Sequence, residues 1–478
     1  MKGHWKHLLL GLALLGGAGP AATAQAEEPQ RVSSRLTLLA LDGDVDTTDF
    51  STGLHLGLSV RSPELVPGLR AEAELSLFVA ASAQGGLSLR DNASFVRLSW
   101  QPESWAEGSG LALTVLPLSS TRLHLGYEFP ATWGRFLYTF RANASGSSGV
   151  PGVELRLTRP WGYAFAAAKS GLDTNALSLE AERLAMGLAG AGVDVLPQLR
   201  LEAAGALAGH GQIPGFAAVG VEGHSRTLGM SGRLLYHQGV PIGPSVDFTL
   251  YQQDPAVYET LFAPEAYPGG LAAHVSLEGT HLAQDLVAPG NSTPGQTDAV
   301  GSTALALQGR LKVDRLRIHA LALYRTAAFL VSEVPGFPAF RALASDSVQA
   351  DTSLTAGMDY HLPALGLTPG FLMRAVWPAA FQSGGALEGG GLTPGLTVVL
   401  RGPTSVSILP EGRGRRPLLL AKATARWDLG TRAAALGEVF YARDPNRTTF
   451  QEGPEGVAGP VFEPASSVGF SLLLQARF

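Results

Sequence analysis

The closing stretch Val468-Gly-Phe-Ser-Leu-Leu-Leu-Gln-Ala-Arg-Phe478 decides how the rest of the chain is read. Phe470, Leu472, Leu474, Ala476 and Phe478 share one parity, and Gly469, Ser471, Gln475 and Arg477 share the other. Only Leu473 breaks the rule. Successive side chains of a strand point to opposite faces, so a period of two describes a strand with different media on its two sides.

The same rhythm runs through the chain. Leu54, Leu56, Leu58 and Val60 alternate with His55, Gly57, Ser59 and Arg61. After the turn Ser62 to Gly68, the apolar set Leu69, Ala71, Ala73, Leu75 and Leu77 faces away from Arg70, Glu72, Glu74 and Ser76. Arg97 lies between Val96 and Leu98, and Glu154 and Arg156 between Val153, Leu155 and Leu157. Arg200 and Glu202 alternate with Leu199 and Leu201, and Asp247 lies between Val246 and Phe248. Farther on, Gln308, Arg310 and Lys312 oppose Leu307, Leu311 and Val313, and Lys422 and Arg426 oppose Ala421, Ala423, Ala425 and Trp427. No long amphipathic helix is evident, and no fixed-period repeat suggests a propeller or solenoid.

Connections come in two lengths. Short ones include Ser62 to Gly68, Gly239 to Gly243, Val313 to Arg315 and Asp428 to Thr431. Long ones, rich in Gly, Pro, Asn and Ser, include Pro130 to Val150, Pro255 to Ala299, Leu330 to Ala350, Phe381 to Pro417 and Asp444 to Ala465. Strict alternation of short and long connections belongs to outer-membrane barrels, whose periplasmic turns are short. It gives about 18 strands, within a range of about 16 to 20, with both chain ends on the periplasmic side. Leu111 to Leu118 and Leu271 to Leu286 fit either an extra strand or a loop folded inward.

Composition agrees. Charged residues make up 16% of the chain, against roughly 25% in soluble domains. Beyond residue 30 no apolar run reaches the ~18 residues of a transmembrane helix. There is no cysteine, which removes thiol catalysis, cysteine-based zinc sites and disulfide frameworks. The net charge of −5 points to no nucleic-acid partner. Lys2 and Lys6, the apolar run Leu8 to Leu15, and Ala24-Gln25-Ala26 predict a signal peptide over residues 1–26. A single domain over 27–478 follows.

A sheet in lipid must close on itself so that every backbone polar group is paired. Its outer face is then apolar, and a watery lumen accepts charge. The second-parity residues Arg70, Glu72, Glu74, Arg97, Glu154, Arg156, Arg200, Glu202, Asp247, Arg310, Lys312, Lys422 and Arg426 are therefore the lumen-facing candidates. Trp100, Trp105, Tyr127, Phe129, Trp133, Trp161, Tyr163, Trp377, Phe440 and Tyr441 lie near segment ends, where interfacial girdles belong.

Chemistry-bearing motifs are few. Asp42, Asp44 and Asp46 present alternate carboxylates, a weak cation candidate; Thr47 and Gly53 stand where a calcium-binding EF-hand needs Gly and Glu. The histidines show no metal-ligand spacing, and Gly384 to Gly391 lacks the Lys-Ser/Thr ending of a phosphate loop. No nucleophile–base set stands out, so no catalysis and no cofactor are expected. Arg413-Gly-Arg-Arg416 is a basic stretch suited to phosphates of lipopolysaccharide or to a solvated loop tip.

The export signal, the alternating strands and the terminal Ser-Leu-Leu-Leu-Gln-Ala-Arg-Phe resemble Gram-negative outer-membrane porin-like barrels across the mature chain. That resemblance implies a transmembrane antiparallel up-and-down β-barrel with long external loops. It also implies that Phe470, Leu472, Leu474 and Phe478 form the signal read by the barrel-assembly machinery; Ala476 is smaller than the family's usual residue. Arg122 to Gly134 and Pro151 to Leu155 are similar to myxobacterial barrels of gliding-motility or polysaccharide-secretion complexes. The expected roles are a porin-like channel or the outer-membrane component of an envelope-spanning complex, with a secreted β-rich adhesin as the alternative. Outer-membrane lipid, lipopolysaccharide and, for a complex, periplasmic and surface proteins are the expected partners.

Overall fold

The computed structural model describes residues 32–41, 51–81, 87–126, 150–240, 242, 270–287, 295–331, 348–382, 395–401, 406–430, 432–452 and 458–478. The signal-peptide segment, Asp42, Asp44, Asp46, Asp247, Tyr127, Phe129, Trp133 and Gly384 to Gly391 lie outside these residues.

The first wall strands are β1 (Val32–Leu41), β2 (Ser51–Arg61) and β3 (Leu69–Ala81), then β4 (Leu87–Asp91) and β5 (Phe95–Trp100). β6 (Gly110–Leu116), β7 (Gly152–Arg159), β8 (Gly162–Thr174), β9 (Ala181–Leu196), β10 (Leu199–Gln212) and β11 (His224–Gln238) continue the wall. β12 (Leu271–Leu286), β13 (Asp298–Val313), β14 (Leu316–Arg325), β15 (Asp351–Tyr360) and β16 (Leu367–Trp377) follow. Three short strands, β17 (Ala379–Gln382), β18 (Thr397–Leu400) and β19 (Val406–Ile408), form a separate small sheet. The wall resumes with β20 (Leu418–Asp428) and β21 (Ala433–Arg443). After the hairpin β22 (Thr448–Glu452) and β23 (Ala458–Phe462), it ends with β24 (Ser466–Arg477). All wall neighbours are antiparallel.

β24 pairs with β1, Leu38 opposite Leu474, so the sheet closes and has no edge. The main sheet holds 19 strands. β4 and β5 both pair with β3 and are two halves of one wall strand, which gives an 18-stranded barrel. Ala93, with a positive φ of 59°, sits in the break between them. Leu56, Leu98, Leu155, Leu277, Leu354, Val439 and Phe470 are exposed on the outside of the wall. An 11-residue strand such as β16 is about 37 Å long and, at ~45° tilt, crosses about 26 Å, enough for the apolar band of such a barrel. The chain is an all-β transmembrane barrel of the bacterial outer-membrane kind, and an exterior so continuously apolar argues against a secreted soluble protein.

Trp100, Trp161, Tyr236, Tyr360, Trp427 and Phe478 are exposed at the short-turn end, and Tyr324, Trp377 and Tyr441 at the other. Two expected girdle residues face inward instead. Phe440 is buried at 2% exposure beneath Lys422, and the Tyr163 hydroxyl donates to Glu202 at 2.8 Å. Their position near a strand end was right, but their parity places them on the lumenal face.

The ambiguous Leu111 to Leu118 and Leu271 to Leu286 lie largely in wall strands, β6 and β12. That breaks the expected long loop Pro255 to Ala299, because a wall strand occupies its middle. The expected tight turn at Gly239 to Gly243 fails with it. The partner of β11 is β12, which begins at Leu271, so Gly239 to Gly243 does not join two neighbouring wall strands. Arg415 is not a free loop tip: it donates to the carbonyls of Ala350 and Pro378, the latter at 2.7 Å. Burial lowers its pKa, partly offset by Asp351.

Candidate functional site

Parity brings the lumenal charges together, and one connection folds among them. After β6, residues 117–126 turn into the barrel, so that Leu123 and Leu125 are almost fully buried. They join an apolar cluster with Leu184, Met186, Leu188, Ala206, Ala208 and Leu282 from the lumenal faces of β9, β10 and β12. Gly229 of β11 makes room for this segment: a Cβ there would lie 2.5 Å from Leu125 Cδ2. Lys169 Nζ donates to the Ser120 carbonyl at 3.2 Å, and Ser120 Oγ donates to the Val150 carbonyl at 2.6 Å. Residues 130–149 lie outside the described residues, and the inward segment lies just upstream of them.

The inward segment carries Arg122. Its Nε donates to the Ala93 carbonyl at 3.3 Å, its guanidinium stands 5.3 Å from the Phe95 ring, and Nη2 lies 4.0 Å from Glu74. The left-handed backbone at Ala93, which costs about 1–2 kcal/mol for a residue with a Cβ, belongs to the kink whose carbonyl accepts from Arg122. Arg122 also borders two cavities.

One, of about 310 Å³, is lined by Ser33, Arg35, Ser59, Arg61, Glu72, Glu74, Phe95, Arg97 and Arg122. Here each carboxylate serves two arginines. Glu74 takes Arg35 at 2.7 Å and Arg122, while Glu72 takes Arg61 at 3.0 Å and Arg97 at 3.7 Å. The other, of about 320 Å³, includes Arg122, His124, Glu154, Arg156, Tyr163, Arg200, Glu202 and Arg233 in its lining. Glu202 accepts from Arg233 and from Tyr163, Arg200 holds Asp194 at 2.6 Å, and Arg156 covers the Tyr163 ring at 4.0 Å. Each cavity is lined by four arginines and two glutamates. In a chain of net charge −5, these two spaces are locally positive.

The structure groups Glu72, Glu74 and Arg97 in one cavity and Glu154, Arg156, Arg200 and Glu202 in the other. It leaves the remaining described candidates elsewhere. Arg70 is exposed near the start of β3. Arg310 is half-buried on β13. Lys312 and Lys422 are fully buried on lumenal faces, Lys422 3.3 Å from Glu438, and Arg426 holds Asp428 at 3.0 Å. Lumenal parity therefore does not guarantee contact with water. Arg35, Arg122 and Arg233 were missed. The first and last sit where Ser, Thr and Gly dilute the alternation, although their parity alone would have found them. Arg122 lies outside any strand, so parity has no hold on it. Among the described residues, no three His, Asp or Glu side chains are placed to hold a metal ion.

No protein-family model matches the chain, and no curated protein matches it. Among solved structures it is similar to Pseudomonas aeruginosa OccK3 (OpdO), with TM-score 0.45 and 10% identity over 94% of this chain and 95% of that one. Acinetobacter baumannii OccAB4 gives 0.45 and 9% over 94% and 97%. The Pseudomonas aeruginosa outer membrane protein opdK gives 0.44 and 9% over 94% and 98%.

Proposed function

We propose that this barrel is a non-enzymatic, porin-like channel that favours small anionic solutes. The observation that carries the proposal is the two-to-one arrangement of arginine to glutamate around Arg122. Charged side chains lining a pore set its selectivity, and low-dielectric walls focus their field into the water between them. A guanidinium fork also pairs with planar carboxylates and with phosphates, which suits passing oxyanions. Outer-membrane lipid and lipopolysaccharide meet the apolar exterior, and Phe470, Leu472, Leu474 and Phe478 present the outward row for the assembly machinery. A motility or polysaccharide-export role would add partner proteins, and no contact described above favours it over the channel.

Refolded protein in planar bilayers under a salt gradient tests the reading. A reversal potential of anion-selective sign is expected, and Arg97→Gln with Arg122→Gln should reduce the anion preference severalfold. A non-conducting barrel, or a cation-selective one, overturns it.

A further inference from the structure

The end of the wall opposite the short turns is the external end of an outer-membrane barrel. There β21 exposes every second residue on the outside, Val439, Tyr441 and Arg443, and Arg443 is the last of its 11 residues. That position brings the guanidinium to the edge of an apolar band about 25 Å tall, the level of lipid headgroups. Arg443 stands opposite Ser466 of β24, and the Tyr441 hydroxyl lies 3.0 Å from Ser466 Oγ. Arg416, also exposed, comes from the connection before β20. The ladder that sets Leu419 opposite Arg443 continues upward to it: Asn446 Oδ1 accepts from the Arg416 N–H at 2.7 Å, and Asn446 Nδ2 donates to the Arg416 carbonyl at 2.8 Å. Asn446 is buried and tied to Asp444, so this support is rigid. Arg416 thus stands about three residues, or ~10 Å, above Arg443 on the neighbouring strand, a gap that two side chains of this length span.

Apolar surface lies both below and above the two arginines. Below are the exposed Val439, Val468 and Phe470 of the lipid-facing wall. Above, the hairpin β22–β23 rises from the same two strands. The Asp444 N–H donates to the Ala465 carbonyl at 2.7 Å, and the Glu463 N–H to the Arg447 carbonyl at 3.0 Å. Exposed residues alternate without a break from Phe470 through Val468, Ser466 and Pro464 to Phe462. The Phe462 ring therefore continues the outward face beyond the arginines, and the exposed Phe450 lies diagonally across the hairpin from it. Two carboxylates of this rim are already engaged, Asp444 by Arg401 at 3.0 Å and Glu463 by Arg447 at 3.3 Å. The remaining acids among the described residues of these connections are the exposed Glu411 and Glu452.

We infer that Arg416 and Arg443 form an outward docking site for one phosphorylated glycolipid of the lipopolysaccharide class. The order of surfaces up the wall matches that lipid: apolar residues for acyl chains, two guanidiniums and two hydroxyls for a phosphate, then exposed rings for sugar. A guanidinium pairs with phosphate through parallel N–H bonds. Exposed apolar surface beyond the hydrocarbon marks a contact; an ordinary phospholipid ends at the phosphate and leaves Phe450 and Phe462 in water. The site lies on the outside of the wall and is independent of what the lumen conducts.

The probe is lipid A with two phosphates, titrated into the refolded, detergent-solubilised full chain and followed by native mass spectrometry. One lipid A per barrel should be retained, about tenfold more tightly than phosphatidylglycerol. Arg416→Gln with Arg443→Gln should weaken lipid A binding about tenfold, the loss expected when charge-assisted hydrogen bonds to a phosphate are removed. Arg443→Gln alone should show part of that loss, which covers the case in which the double variant does not refold. Arg226, 74% exposed at the same end of β11, lies outside the site. Arg226→Gln should leave binding unchanged. Equal affinity for the two lipids, an equal loss in Arg226→Gln, or undiminished binding in the Arg416 and Arg443 variants overturns the inference. Bilayer recordings separate it from the channel reading. A conducting barrel that fails these binding tests keeps the channel and loses the docking site, and a non-conducting barrel that passes them does the reverse.

Discussion

The lumenal face of β1–β11 and that of β16–β24 are built on the same alternation, yet they use charge in opposite ways. In the first, Glu72 and Glu74 each serve two arginines, and around Glu72 the side chains stay in reach of water: Arg61 is 61% exposed and Arg97 37%. In the second, Lys422 and Glu438 pair at 3.3 Å at 0% and 1% exposure, with the Phe440 ring beside the ammonium. Leu372, Leu418, Leu420, Leu436, Phe440 and Leu473 are the residues that fill this side, each at 2% exposure or less. A shared carboxylate beside water leaves positive potential for a solute to feel. A matched pair sealed under leucine leaves none, and instead locks neighbouring strands together. Arg317 and Asp359, 2.6 Å apart and each 3% exposed, extend the sealed pattern into β14 and β15.

If that contrast is right, removing one charge should have different consequences on the two sides. The largest effect is expected from Glu438→Ala. Removing one member of a buried ion pair costs about 3–5 kcal/mol, whereas replacing both members with apolar residues is often neutral. Urea unfolding of the refolded protein in detergent should show that loss for Glu438→Ala and recovery for Lys422→Met with Glu438→Leu. Equal stability of single and double variants would show that the pair is not sealed. A smaller effect is expected between the two regions, at the inward segment. Leu125→Ala removes side-chain packing on Gly229 and Leu282. Conductance should rise as the segment loosens, with the wall intact because Leu125 belongs to no strand; unchanged conductance would mean that residues 117–126 do not limit flow.

Much of this contrast was written in the sequence, though not evenly. The wall was legible because lipid imposes apolar residues on every second position, and β2, β3, β13 and β20 obey it almost without exception. The closing strand carried one apparent flaw, Leu473 on the polar parity. In the barrel it stands opposite Leu436 and is 1% exposed, a member of the apolar fill. The flaw was the signal that this side of the lumen is packed, and Leu418-Leu419-Leu420 repeats it with three apolar residues in a row. Lys312 and Lys422 share the parity of the cavity-lining charges, but their burial depends on what other strands bring opposite them. Arg122 was out of reach for a related reason: a residue on an inward connection owes its neighbours to closure of the whole barrel. The connection after β11 misled because Gly239 and Gly243 have hairpin chemistry, while the pairing partner of β11 starts only at Leu271.

The smallest effect offers the sharpest reading of the open side. Arg61 is a long way from burial and holds Glu72 at 3.0 Å beside Arg97, so its Coulomb attraction is screened and the carboxylate keeps a second partner. Exposed pairs of this kind contribute about 0–1 kcal/mol. Arg61→Ala should therefore leave urea unfolding within about 1 kcal/mol of the parent, while Glu72 turns to Arg97 alone and the cavity loses one of its four arginines. A measurable fall in anion selectivity without a fall in stability is the expected pairing of results. If stability drops as far as in Glu438→Ala, the cavity arginines hold the wall together as the sealed pairs do, and the two sides of the lumen are not different in kind.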